Sequence, residues 1–369
     1  MHRYTEAIAN VRGQLAAEAK AFVTPGPRMV DEIECVLSVA LAIVLGHLID
    51  ARNISWAAFS GYMVMRGHVS ESLRRGILRI LGTAAGAATA VATFPVLASS
   101  TFALSLGLAL IGWCSLYGAL THRYAYGFLF IGLTYAMIVL GFPSSRADLL
   151  DFAQSRILEV FAGTTACVLV STVSTLTLRQ RWPAVLPPIQ VIAGWHPDAA
   201  RHAAQGALAL ALLPPLHELW RLPELAQAAV AIMAVMMVPV SRLGSGGLMP
   251  VSRRMLLRVM GCALGAALAA IFLLAGRGSD AILITGSLLG VMLGRHIENS
   301  ASPIAYSGTQ FTLAMLIALV PDRYIDPDPD AGIARLAGTV IGIVMLEPVL
   351  AAFHVFTWRK VVAAKDDAS

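Results

Sequence analysis

Arg79 and Arg258 stand where a charge is costly: each lies about one helical turn inside an apolar run, three residues before a glycine. A guanidinium stays ionised and grips a carboxylate through two parallel hydrogen bonds, so the pair marks a candidate site for an organic anion. Snorkelling or a structural ion pair is the competing reading. Arg74, Arg75, Arg253 and Arg254, one turn nearer the helix ends, are explained by membrane anchoring alone. Thr134, Tyr135, Tyr306 and Gln310 are polar residues within other apolar runs and could hydrogen-bond the same guest, although such side chains commonly bond their own backbone. Glu347, in GIVMLEPVLAAF, is placed deep in a span and is the first candidate proton carrier. An ionised carboxylate at the bilayer centre costs at least ~2.5 kcal/mol, which favours protonation or polar surroundings. His122 and His296 each sit beside an arginine at a helix end and titrate near neutral pH, so they are further proton-coupling candidates, with helix capping as the alternative. Glu159 reads as a local partner of Arg156, three residues earlier on the same face.

The elements that must hold these residues are membrane helices. With 57% hydrophobic and 13% charged residues and a mean hydropathy of +0.72, the 369-residue chain has too little polar surface to cover a water-soluble globule. Up to twelve apolar runs approach the roughly 20 residues that a helix needs to cross the hydrocarbon core, the second (54–67) and tenth (280–294) being short. Most of the 27 Lys and Arg fall at the termini and in even-numbered loops, which places both termini in the cytoplasm. The four cysteines, Cys35, Cys114, Cys167 and Cys262, all fall within predicted spans and read as packing residues.

The run RGILRILGTAAGAA (75–88) recurs 179 positions later as RMLLRVMGCALGAA (254–267), keeping two arginines, two glycines and the closing Ala-Ala. Gly82, Gly86, Gly261 and Gly265 thus form small-xxx-small faces that let helices approach closely. Two copies of six spans each insert in the same sense, so the expected fold is an all-α polytopic membrane protein of about twelve transmembrane helices in two parallel six-helix repeats. The halves are 1–182, which includes an N-terminal amphipathic helix carrying Ile8, Val11, Leu15 and Phe22, and 183–369. Further pairs across the copies are His122 with His296 and Thr134 with Thr312; Gln227 falls near the counterpart of Trp56, Cys262 replaces Thr83, and Ala331 takes the place of Arg156. Pro214-Pro215 predicts a broken or kinked seventh helix. A transport site is expected between the halves.

At Trp56-Ala57, at Arg75, Arg79, Gly82, Thr83 and Gly86, and at Arg156 with Gly163, the chain resembles the fusaric acid resistance and aromatic acid exporter family of bacterial inner-membrane proteins. The resemblance covers nearly the whole chain and implies proton-driven efflux of aromatic or related carboxylic acids. It also implies a periplasmic adaptor protein as a partner; a homodimer is compatible with the sequence. A gated anion channel and a non-catalytic membrane subunit of an envelope efflux complex remain open. No phosphate-binding GxxxxGK[ST], no HExxH and no catalytic triad pattern is present, so no enzyme, cofactor or nucleic-acid role is expected. Asp326, Asp328 and Asp330 lack the fixed glycine and closing glutamate of a calcium loop and read as a solvated loop.

Overall fold

The computed structural model describes Gly13 and residues 17–97, 99–141, 145–184, 194–243, 248–276, 279–320 and 330–366. All regular elements among the described residues are helical. Those longer than ten residues are α1 (Pro27–Leu48), α2 (Ile54–Val64), α3 (Val69–Leu97), α4 (Thr101–Thr121), α5 (Ala125–Leu140), α6 (Arg146–Leu176), α7 (Pro197–Trp220), α8 (Leu225–Val235), α9 (Leu248–Gly276), α10 (Asp280–Glu298), α11 (Ala305–Leu319) and α12 (Asp330–Asp366). Ile8, Val11 and Leu15, and the loop residues Asp326 and Asp328, lie outside the described residues.

Helix length sorts these elements into an inner and an outer class. Six are long and apolar enough to cross a membrane: α3, α4, α6, α9, α10 and α12. The 29 residues of α3 and of α9 reach about 43 Å at 1.5 Å per residue, more than the hydrocarbon thickness. Their outer faces carry large apolar side chains in the open, such as Phe102 at 77% and Leu274 at 79% exposure, a surface that lipid and not water can solvate. By contrast α2 and α8 have 11 residues each, and α5 and α11 have 16 and 15. A helix that is apolar on all sides must be buried, and the run from Ala228 to Met233 on α8 and from Gly132 to Leu140 on α5 is buried throughout. The tenth helix, expected to be short, has 19 residues and is a candidate span; it is the eighth that is short. The chain is therefore a multi-pass membrane protein.

Glycines set the helix spacing. A Cβ on Gly82 would meet the Gly127 carbonyl oxygen and Phe130 Cβ, and one on Gly86 would meet the Ile131 carbonyl oxygen and Thr134 Cβ, so α3 lies directly on α5. On α9, Gly261 faces the Ser307 carbonyl oxygen and Gln310 Cβ, and Gly265 the Phe311 carbonyl oxygen and Ala314 Cβ, so α9 lies on α11 in the same register. Likewise Gly163 of α6 abuts the Ala57 carbonyl oxygen and Ser60 Cβ on α2, and Gly342 of α12 abuts the Ala228 carbonyl oxygen and Ala231 Cβ on α8. Backbones this close gain dispersion contacts that any larger residue would forfeit. The first six helices meet the last six along four seams: α4 on α7, α1 on α10, α5 on α8 and α2 on α11.

Contacts between distant segments define two ends of the bundle. Asp31 near the start of α1 binds Arg295 near the end of α10, and Ser252 at the start of α9 binds Glu347; this end is termed basal. At the opposite, apical end Arg52 meets Asp151, and the Thr101 hydroxyl donates to Glu218. Of the broken or kinked helix expected at Pro214-Pro215, the break is absent: α7 continues through both prolines. The two prolines lack amide donors, but neighbouring helices can keep such a segment helical, and α4 packs along α7.

Candidate functional site: buried arginines and a basic cavity

In the first six helices the buried arginines have hydroxyl, aromatic or carboxylate neighbours. Arg79, 1% exposed, donates to Ser60 Oγ at 3.2 Å and to the Tyr126 hydroxyl at 3.0 Å, and its guanidinium lies over the Phe130 and Phe59 rings at 4.1 and 5.1 Å. Arg156 lies over Trp56 at 4.2 Å and Phe152 at 4.9 Å and pairs with Glu159 at 3.2 Å. The Glu159 carboxylate is fixed in turn by the Asn53 amide at 3.0 Å and the Ser155 hydroxyl at 2.6 Å. Aromatic faces and a hydrogen-bonded carboxylate supply what lost hydration would have given these cations.

The last six helices bury two arginines without those partners. Arg258 is 2% exposed; its Nη1 reaches the Tyr306 hydroxyl at 3.5 Å, and its Nε has no hydrogen-bond partner among the described residues. Arg335 is also 2% exposed, and none of its three guanidinium nitrogens has a hydrogen-bond partner among them. Its electrostatic neighbours are Cys262, Arg258 and Tyr306, with no carboxylate in the set. The glycine contacts explain the difference residue by residue. In the α12–α8 register Arg335 takes the place of Arg156, Gly338 that of Glu159, Gln227 that of Trp56, Val230 that of Phe59 and Ala231 that of Ser60. In the α9–α11 register Gln310 takes the place of Phe130. Five of the groups that hold Arg79 and Arg156 are thus replaced by ones that cannot do so in the same way, while the tyrosine is kept. The Oε1 atoms of Gln227 and Gln310 are themselves buried without a hydrogen-bond partner among the described residues.

This register corrects two expected pairings. Arg335 and not Ala331 matches Arg156, and Ala314 and not Thr312 matches Thr134. Counting from loop prolines or helix starts misleads, because the connection before α12 is longer than the one before α6.

At the basal end a cavity of about 940 Å³ opens beside α9 and is lined by Arg242, Arg253, Arg254, Leu257, Ser302 and Tyr306. The Arg254 guanidinium sits 3.9 Å from the Tyr306 ring centre, and the Tyr306 hydroxyl leads inward to Arg258. The described lining comes from the last six helices and their connections, not from the seams between the two sets where a site was expected.

The other predicted residues fall elsewhere. Thr134 packs on Gly86, and Tyr135 is buried with its hydroxyl beside Gly107; among the described residues neither hydrogen-bonds a buried arginine. Glu347 accepts hydrogen bonds from Ser252 Oγ, at 2.9 Å to one oxygen and 3.2 Å to the other. Since Ser252 is in the first two turns of α9, Glu347 lies toward the basal end of the bundle, within the apolar stretch Gly332–Val355 of α12. His122 is exposed and accepts from the Tyr124 amide, while His296 is nearly buried with Nδ1 2.8 Å from Glu32 Oε1, so their surroundings are not equivalent.

His296 belongs to a basal charge cluster that sequence reasoning missed. Arg295 forks onto Asp31 at 2.6 and 3.1 Å, Asn299 adds a bond to Asp31 at 2.8 Å, and Arg179 forks onto Glu34 at 2.8 and 2.5 Å. Arg28 joins Glu18 and Glu32, Tyr62 donates to Glu298 at 2.5 Å, and Phe22 packs edge-on against His296. These contacts clasp α1 and α2 to α10. The signal was present in DEIE (31–34), acidic residues at a helix start where anchoring calls for basic ones.

All-helical, apolar-faced and charged chiefly at its basal end and along buried arginines, the molecule is of the polytopic membrane class. The sequence profile of the fusaric acid resistance protein family matches residues 34–211, and that of the fusaric acid resistance protein-like family matches 208–349. The chain belongs to the fusaric acid resistance protein family. No curated protein and no solved structure matches it.

Proposed function

We propose that the protein is a secondary exporter that carries organic anions, foremost aromatic or hydrophobic carboxylates, out of the cytoplasm in exchange for protons. Its twelve helices form two parallel six-helix repeats in a bacterial inner membrane, with the basal end and both termini cytoplasmic. The matched glycine registers of α3 on α5 and α9 on α11 support the repeat. The crowding of Arg28, Arg74, Arg179, Arg242 and Arg253 at the basal end supports the orientation. Family membership supports transport over catalysis.

One observation carries the anion assignment: the basal cavity is lined by three arginines, and its inner tyrosine touches a fourth that is buried. Such a basic vestibule concentrates anions before they enter a low-dielectric interior. Proton exchange falls to carboxyls that face polar partners toward the basal end, Glu347 on Ser252 and Glu32 on His296. The clasp between α1 and α10 closes one seam between the helix sets, which rocking of the sets would have to open. A gated anion channel is the second reading, favoured by the confinement of the cavity lining to one set of six helices.

Uptake of radiolabelled 4-hydroxybenzoate into inverted membrane vesicles, with and without an imposed pH gradient, tests the proposal. Accumulation driven by the gradient and lost in Glu347→Gln is the expected result. Equilibration that follows voltage alone would establish the channel, and absence of any flux would refute transport by this chain.

A further inference from the structure

The buried guanidiniums of Arg258 and Arg335 are each other's electrostatic neighbours, and no described carboxylate pairs with either. Two like charges in a low-dielectric interior repel, and each has lost its hydration, so the pair requires negative charge from some source. The first six helices show what that source looks like, because there Glu159 sits 3.2 Å from Arg156. The last six cannot supply it in the same way. Gly338 occupies the acid's position, and its Cβ would approach Gln227 Cβ to 2.5 Å, so α12 has closed onto α8 and left no room for a side chain there. The remaining polar approach to Arg335 is by way of Cys262, 4.0 Å from the Thr339 hydroxyl, and Tyr306. Tyr306 also lines the basic cavity.

We infer that Arg258 and Arg335 form one anion-binding site per chain, present in the last six helices only, where a carboxylate arriving through the basal cavity approaches from the Cys262 and Tyr306 side and supplies the negative charge that Glu159 supplies in the first six. The inference rests on the anion-transport reading and deepens it by naming the inner site and its stoichiometry. Arg335 holds the anion, Arg258 and Tyr306 form the approach to it, and Gln227 and Gln310 contribute buried amides with free acceptor atoms whose NH₂ groups can turn toward the guest. The first six helices bind nothing, because their own carboxylate already neutralises Arg156.

Calorimetric titration of sodium benzoate into the purified full-length chain in detergent tests this, with sodium chloride at equal ionic strength as the reference. One benzoate per chain is expected, with affinity weakened at least tenfold in Arg335→Gln. Cys262→Asp, which offers an internal carboxylate, should abolish binding, and benzoate should raise the melting temperature of the wild type but not of this variant. Two benzoates per chain, or unchanged affinity in a folded Arg335→Gln protein, would overturn the site. An equal response to chloride would overturn its carboxylate character. The two proposals fail separately: vesicle transport without benzoate binding sinks this site alone, whereas binding without transport sinks the exporter alone.

Discussion

Arg156 and Arg335 lie in the same register against α2 and α8, yet one has a carboxylate at 3.2 Å and an indole face at 4.2 Å while the other has no hydrogen-bond partner among the described residues. Arg79 and Arg258 repeat the contrast: four groups hold the first, and among the described residues only the tyrosine hydroxyl hydrogen-bonds the second. The same helix packing thus carries two electrostatic solutions. In the first six helices, internal ion pairing and aromatic stacking spend the arginines on structure. In the last six, exchange of five supporting residues for smaller or uncharged ones leaves the cations poised for a guest. The general lesson is that a binding site can arise by deleting counter-ions around existing cations, with the backbone arrangement left intact.

The comparison can be broken at its strongest point first. Glu159→Gln should strand Arg156 in the interior and cost about 3–5 kcal/mol, read as a large fall in thermal stability, whereas Arg335→Met should be neutral or stabilising by the same measurement. Equal losses in the two variants would mean that the two arginines are held alike. A smaller effect is expected at Ser60: Ser60→Ala removes a bond to the Arg79 cation, worth roughly 1.5–3 kcal/mol. The reciprocal Ala231→Ser offers Arg258 a hydroxyl, so it should stabilise the protein and slow 4-hydroxybenzoate flux. The smallest change sharpens the contrast between interior and rim. Arg52 and Asp151 pair at 3.2 Å, but both side chains are more than half exposed, so Arg52→Ala should shift stability by no more than about 1 kcal/mol. A loss comparable to that of Glu159→Gln would show that this rim pair is shielded from solvent.

The glycine motifs told more than the polar residues did. Gly82, Gly86, Gly261 and Gly265 were readable because close helix contact excludes a Cβ, a constraint that acts through the residue itself. Arg79 and Arg258 were readable because few forces put a guanidinium a full turn inside an apolar run. Arg335 was not, although it is equally buried: it follows a connection of different length, and no local pattern reveals that its counter-ion has become Gly338. Asp31, Glu32 and Glu34 escaped notice because their partners, Arg295, His296 and Arg179, lie more than 140 residues away. Glu347 was legible as an acidic residue in an apolar run, but its partner Ser252, 95 residues away, was not.

Composition and spacing, by themselves, determined that this chain is helical, lies in a membrane and carries buried arginines. Those properties depend on the solvation cost of single residues and on helix periodicity, both of which are local. Only the tertiary structure decided which arginines are neutralised. Charge compensation depends on what a neighbouring helix presents within about 4 Å, and that is set by the register in which α12 meets α8 and α9 meets α11.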